Sequence, residues 1–134
     1  MAGLGIIFHS GSYDRVHHGL SLALAAGAIG GPVKLFFTYW ALEWLKKENP
    51  PALRLDSEAL ERSALIARNM KGGHLRAVPE LLSDGKALGI KVYACTNSMG
   101  ILNIARDELV GKVDKSMGIT GFLAEVAGYQ LLFI

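Results

Sequence analysis

The one cysteine of the chain, Cys95, stands in the run Gly89-Ile90-Lys91-Val92-Tyr93-Ala94-Cys95-Thr96-Asn97-Ser98-Met99. A thiol becomes a strong nucleophile only as thiolate, so its neighbours decide whether it does chemistry. Ile90 to Ala94 is a short apolar, β-branched run after a glycine, the pattern of a buried strand. Thr96, Asn97 and Ser98 are helix N-cap types, and Met99, Ile101, Leu102 and Ile104 can form the apolar stripe of a following helix. The spacing therefore puts Cys95 where a strand ends and a helix begins. Free backbone N–H groups and the positive end of a helix dipole at such a point favour thiolate over thiol. The other reading is a buried cysteine acting as a small apolar residue, and position alone leaves both open.

With 134 residues the chain is long enough for one domain, residues 1–134, with a core of its own. Apolar residues make up 51% and charged residues 19%, which suits a folded domain with an apolar partner surface better than a disordered chain. The basic residues are scattered with no run of five, so no nucleic-acid partner is expected. A lone cysteine cannot close an internal disulfide, which points to a reducing compartment. None of His9, His17, His18 and His74 has a partner at zinc spacing, and neither a metal nor another cofactor is expected. The first residues lack the basic region of a signal peptide. The apolar stretch from Gly19 to Gly31 is too short to span a bilayer, so no membrane partner is expected. These features predict a soluble cytoplasmic protein.

The elements that must position the thiol follow from periodicity. Leu4–Phe8 is a continuous apolar strand, as in a sheet buried on both faces. His9-Ser10-Gly11-Ser12 is a loop whose N–H groups could cradle an anion, although it is neither a GxGxxG nor a Walker loop. Tyr13 to Ile29 reads as a helix, with Ser12 or Asp14 helping its start and Gly30-Gly31-Pro32 stopping it. Val33–Thr38 is a second strand. Tyr39 to Lys47 turns helical with Trp40, Trp44 and Leu45 on one face, in the core or at a subunit contact. Residues 52–75 are the least defined, with a polar helix from Asp56 or Ser57 to about Arg68 and a loop reaching His74. Ala77–Ala87 is an amphipathic helix with Val78, Leu81, Leu82 and Leu88 inward. A short strand within Gly111–Asp114, a helix from Gly118 to Ala127 and a strand from Tyr129 to Ile134 close the chain.

This alternation predicts an α/β fold, a three-layer α/β/α arrangement around a five-stranded, mostly parallel sheet. Sites in such folds gather beyond the carboxyl ends of the strands. Those ends carry His9-Ser10, Thr38-Tyr39-Trp40, Cys95-Thr96 and Asp114-Lys115-Ser116-Met117, so Cys95 is expected beside a histidine, hydroxyls and aromatics.

Three stretches carry a resemblance. They are Leu22–Gly27 running through Val33-Lys34-Leu35-Phe36-Phe37-Thr38-Tyr39-Trp40-Ala41-Leu42, the Ala94-Cys95-Thr96-Asn97-Ser98-Met99 segment with its preceding strand, and Gly118-Ile119-Thr120-Gly121-Phe122-Leu123. The chain resembles the DsrE/DsrF-like family of sulfur-relay proteins, in particular the DsrE2/DsrE3-like branch sometimes labelled peroxiredoxin-like. The resemblance implies a DsrEFH-like fold and a Cys95 that accepts sulfur as persulfide or thiosulfonate and passes it on, often to a TusA-like carrier protein. It also implies a homo-oligomer, a trimer or a multiple of it ahead of a dimer. Ser98 and Met99 match the family's Cys-x-x-Ser-Met motif, whereas Leu102 and Asn103 stand where the branch often has methionine and glycine. The second cysteine of some relatives is absent, which argues against a two-thiol mechanism in one subunit. A peroxidase is a poor fit, with no Pro-x-x-x-Thr-x-x-Cys loop and no resolving cysteine.

The expected function is a sulfur carrier or sulfurtransferase working through covalent Cys95 and a small sulfur donor. Backbone groups around Thr96, Asn97 and Ser98, with Met99 beside them, would hold the loaded anion, and His9, Ser10, Tyr39 and Trp40 would line the pocket. The competing readings are a non-catalytic oligomeric module binding a small anion in the strand-end crevice, and a scaffold without chemistry.

Overall fold

The computed structural model describes residues 2–134. Five short strands, β1 (Leu4–Phe8), β2 (Val33–Phe37), β3 (Lys91–Cys95), β4 (Lys115–Met117) and β5 (Gln130–Phe133), form one sheet in the order β4-β3-β2-β1-β5. Every pairing within it is parallel, so the sheet is wholly rather than mostly parallel. The helices are α1 (Tyr13–Ala28), α2 (Ser63–Lys71), α3 (Val78–Ala87), α4 (Thr96–Leu102) and α5 (Ile119–Glu125). Shorter 3-10 helices cover Tyr39–Leu45, Ser57–Arg62 and Arg106–Glu108.

Side chains alternate across a strand, so the central strands β1, β2 and β3 feed two separate cores. Ile6, Phe8, Leu35, Phe37, Val92 and Ala94 meet the buried stripes of α1 and α3 in the larger one. Phe36, Tyr93 and Cys95 point the other way, into a smaller cluster with Phe122 and Val126. The result is the expected three-layer α/β/α fold, with a thick helical layer on one face and α5 on the other.

Helix α1 forms because its small residues allow a close approach to the sheet. Val16, Leu20, Ala23 and Ala26 are buried along one stripe. A Cβ on Gly19 would stand only 2.4 Å from Cε1 of Phe8, so the stripe tolerates no side chain there. Gly30, at φ 90, ends the helix in the left-handed region, and Pro32 follows. Ser12 is its N-cap residue by position, yet its hydroxyl pairs with Ser10 Oγ at 2.9 Å rather than with the helix. Asp14 instead accepts the Asp56 N–H at 2.9 Å and ties down the long connection after β2.

Several boundaries differ from the sequence pattern for local reasons. The expected common face of Trp40, Trp44 and Leu45 does not exist. The segment is a 3-10 helix with three residues per turn, which sends Trp44 and Leu45 inward and leaves Trp40 51% exposed. Trp44 is core, and its Nε1–H donates to Gly11 O at 2.9 Å. Leu88, expected inward, is exposed because α3 has already ended and Gly89, at φ 79, is turning the chain into β3. The fourth strand is Lys115–Met117 rather than a piece of Gly111–Asp114, whose Val113 is buried in the larger core. The polar segment after Asp56 begins as a 3-10 helix and becomes α2 only at Ser63.

Asp114 joins β3 to the approach to β4. Its N–H donates to Val92 O at 2.8 Å, and its Oδ2 accepts the Val92 N–H at 2.8 Å. Burial alone would raise the pKa of this carboxyl, but the Lys86 ion pair, the Val92 N–H and nearby Lys91 together hold it below the ordinary carboxylate value. A group depressed in the folded state adds stability above its unfolded value of about 4, and that stability fades as pH falls through the folded value. Asp114→Asn should therefore cost about 1–2 kcal/mol near neutral pH in urea unfolding. The gap from wild type should shrink below about pH 4, and a gap independent of pH would refute this account.

Candidate functional site

The register of the sheet sets three strand ends side by side. Phe8 pairs with Phe37, and Phe37 with Ala94, so His9, Thr38 and Cys95 follow at one level. Thr38 locks the first two strands, its N–H and Oγ1–H both donating to Phe8 O at 2.9 and 2.8 Å. Cys95 is the last residue of β3 and the N-cap of α4, with extended backbone at φ −75 and ψ 117. The thiol is thus placed where strand becomes helix, and it is only 2% exposed.

The thiol nevertheless forms part of the wall of a cavity of about 340 Å³. Ile7 and Phe36 line it from the sheet and Phe122 from α5. His9, Thr38, Tyr39, Asn97 and Ser98 line it from the strand ends, and Ile119, Leu123 and Phe133 complete the wall. Helix α5 is held over the sheet by two devices. Phe122 stacks on Phe36 with centroids 4.6 Å apart and planes 6° from parallel. Burying such a ring contributes about 2–3 kcal/mol. Lys34 donates from Nζ to Glu125 Oε2 at 2.8 Å and to the Glu125 carbonyl at 3.0 Å, meeting an otherwise unpaired helix-end oxygen. The Lys34 hydrogen bond holds the Glu125 carboxyl below its ordinary value, and the same bond holds the Lys34 ammonium above its own.

A third device joins the end of β2 to α4. Tyr39 takes a left-handed backbone, φ 44, which is unfavourable for any residue with a Cβ. That conformation turns its N–H onto Ser98 Oγ at 2.8 Å. Ser98 is 1% exposed, so the bond anchors the first turn of α4 from within the protein. The Tyr39 ring stacks on His9, centroids 4.6 Å apart, and Phe133 lies on His9 at 5.7 Å. The imidazole is thereby held between a stacked tyrosine ring and a tilted phenylalanine ring on the cavity wall.

The structure brings His9, Tyr39, Asn97 and Ser98 together with Cys95. It does not bring Ser10 and Trp40, which border a separate cavity of about 540 Å³ with Glu43 and Arg54. Thr96 is exposed outside the thiol cavity, and Met99 packs against the larger core. The anion cradle expected of the 9–12 loop is not formed. His9 and Ser10 donate their N–H groups to Ile134 O, Ser12 to Ser10 Oγ, and Tyr13 to Arg54 O. Gly11 serves a close approach instead, since a Cβ there would stand 2.9 Å from Trp40 Cβ. The apolar wall of Ile7, Phe36, Phe122, Leu123 and Phe133 was not anticipated. Its signal was strand parity, because Phe36 must share a sheet face with Tyr93 and Cys95 once the strands are parallel and in register.

The family model for the DsrE/DsrF/DrsH-like family matches residues 2–65 and 55–132. The chain belongs to this family. Among curated relatives, the uncharacterized protein YrkE of Bacillus subtilis is 26% identical over an alignment of 152 positions, covering 96% of this chain and 94% of that protein. The sulfur carrier protein DsrE2 of Allochromatium vinosum is 25% identical, covering 83% of this chain and 84% of its own. Two solved structures share the fold of this family member at 14% identity. The ychN protein of E. coli aligns over the whole of both chains with a TM-score of 0.66. Protein MTH1491 of Methanobacterium thermoautotrophicum aligns over 99% of this chain and 98% of its own with a TM-score of 0.61.

Ser98→Ala tests the anchor. It leaves the Tyr39 N–H without its acceptor and should cost about 1–2 kcal/mol of unfolding free energy. A change under about 0.5 kcal/mol would mean that solvent serves that N–H equally well.

Proposed function

We propose that this chain is a sulfur carrier, with sulfurtransferase chemistry, that accepts sulfane sulfur on Cys95 as a persulfide or thiosulfonate and hands it to a thiol on another molecule. The observation that carries the reading is the placement of the only thiol. It is buried from bulk water yet borders an open cavity at the carboxyl ends of β1, β2 and β3. A thiolate there can attack the sulfane sulfur of a donor and keep the product covalently. The walls then shield a labile persulfide from stray thiols. His9, the one imidazole on the wall, is the candidate proton partner. Asn97 and the first N–H groups of α4, which lack intrahelical acceptors, are the candidate contacts of the loaded sulfur. With one cysteine the chain cannot discharge its cargo as an internal disulfide, so delivery requires an acceptor thiol such as that of a TusA-like carrier. The name of the Allochromatium relative, a sulfur carrier protein, supports the same role. Among the described residues no helix is long and apolar enough to cross a membrane, and the cytoplasm is the proposed setting.

The assembly belongs to the same reading. Trp40 and Leu60 are exposed at the edge of the larger cavity, an apolar surface suited to a second copy of this chain. Trp40 sits edge-on to Tyr39 at 5.7 Å, so a contact there would buttress the wall of the thiol cavity. The proposed state is a homo-oligomer, a trimer or a multiple of it.

Two measurements test the proposal. Intact mass after treatment with polysulfide, thiosulfate or an organic hydropersulfide should show the mass of added sulfur on wild type with at least one of them. The addition should be removed by reductant and absent from Cys95→Ser. An unmodified wild type across all three donors would favour a module that binds a small anion without reacting. Light scattering at micromolar concentration should give a multimeric mass that Trp40→Glu lowers. A wild-type monomer would refute the assembly.

A further inference from the structure

We infer that the cavity selects its sulfur donor by an apolar body: the substrate class is a small organic hydropersulfide, R–S–SH, whose R is an uncharged alkyl or aryl group and which reacts as the neutral acid, rather than an inorganic sulfur species or one with a further anionic group. The inference narrows the sulfur-carrier reading and rests on it.

Charge is the first observation. The residues lining the thiol cavity include no lysine and no arginine. Of the sheet lysines on that face, Lys34 is committed to Glu125 and to the carbonyl at the end of α5, and Lys115, level with Tyr93 on the edge strand, is exposed and outside the cavity lining. A dianion such as thiosulfate would leave its hydration shell here and find no cation to replace it, which is strongly unfavourable. Helix α4 has seven residues, too few to supply a field that substitutes for a cation.

Shape and wall chemistry form the second. A terminal sulfur needs a small fraction of about 340 Å³, and the remaining space lies against Ile7, Phe36 and Phe122 with Leu123 and Phe133 beside them. Phe133 is 70% exposed, an unfavourable state for a phenyl ring that an apolar ligand would relieve.

The third is a spare donor. Ser98 lines this cavity almost wholly buried, and its oxygen accepts the Tyr39 N–H. Its own proton goes to none of the described residues, whereas the Thr38 hydroxyl next to it is already given to Phe8 O. With His9, Tyr39 and Asn97 this hydroxyl gathers the polar groups of the cavity at the strand ends beside the thiol, and the rest of the wall is apolar, which suits a ligand with a single polar end and an apolar remainder.

The step balances without an oxidant. The Cys95 thiolate attacks the outer sulfur of R–S–SH, the Sγ–S bond forms as the donor S–S bond breaks, and the electron pair leaves on the inner sulfur as RS⁻. The proton lost by Cys95 ends on RS⁻, giving R–SH and a Cys95 persulfide. The sulfane sulfur changes partner and no net oxidation occurs.

The test compares two donors with the same reacting group, benzyl hydropersulfide and 2-sulfoethyl hydropersulfide, with thiosulfate as a third. Loading of Cys95 is followed by intact mass, and each rate is divided by that of N-acetylcysteine with the same donor. The normalised rate should be at least about tenfold higher for the benzyl donor than for either anion, a difference of about 1.4 kcal/mol in barrier. Leu123→Arg, at an exposed wall position, should invert the order by slowing the benzyl donor and speeding the sulfoethyl one, which general damage to the fold would not do. Equal normalised rates, or a preference for thiosulfate, would overturn this inference while leaving the sulfur-carrier reading intact. No loading from any donor would overturn both.

Discussion

Parity along β3 is the constraint on which the rest depends. A strand must send successive side chains to opposite faces, and this one carries Val92 and Ala94 toward α1 and α3 but Tyr93 and Cys95 toward α5. The two faces are unequally covered. The first lies under two long helices, the second chiefly under the seven residues of α5. A cysteine one position earlier would have been sealed in the larger core. At position 95 it is buried at the end of a thin layer, next to a space that the single helix cannot fill.

Keeping that space open while the fold stays closed elsewhere falls to a few contacts. The Phe36–Phe122 stack and the Lys34–Glu125 clamp fix α5 against β2. On the other side, strained Tyr39 trades a favourable backbone conformation for a hydrogen bond to buried Ser98 and a ring that holds His9 in place. The cavity is therefore bounded by packed or hydrogen-bonded groups along most of its wall. Its soft part is the edge where Ile119, Leu123 and Phe133 reach solvent.

The same arrangement separates two chemistries that adjoin in sequence. His9 and Tyr39 face the thiol, while their neighbours Ser10 and Trp40 face the larger cavity. One residue of chain divides the apolar chamber of Cys95 from a space bordered by Glu43, Arg54 and Asp56.

The sequence by itself determined the element order, the parallel sheet and the place of Cys95 at a strand-to-helix junction. These follow from period-two and period-3.6 patterning and from glycine stops, which are local properties of the chain. Patterning also located His9, Thr38 and Tyr39 at neighbouring strand ends, because a parallel sheet aligns its carboxyl termini. Tertiary structure alone decided what surrounds the thiol. The 3-10 winding of Tyr39–Leu45, which split the two tryptophans, depends on the Tyr39–Ser98 bond and the Trp44–Gly11 bond, contacts across 59 and 33 residues of chain. The loss of the anion cradle came from the distant Ile134 carbonyl taking the His9 and Ser10 N–H groups and from Ser10 Oγ taking that of Ser12. The apolar wall combines β1, β2, α5 and β5. No local pattern reports a surface assembled from four separated segments, because its chemistry comes from which side chains the register makes neighbours.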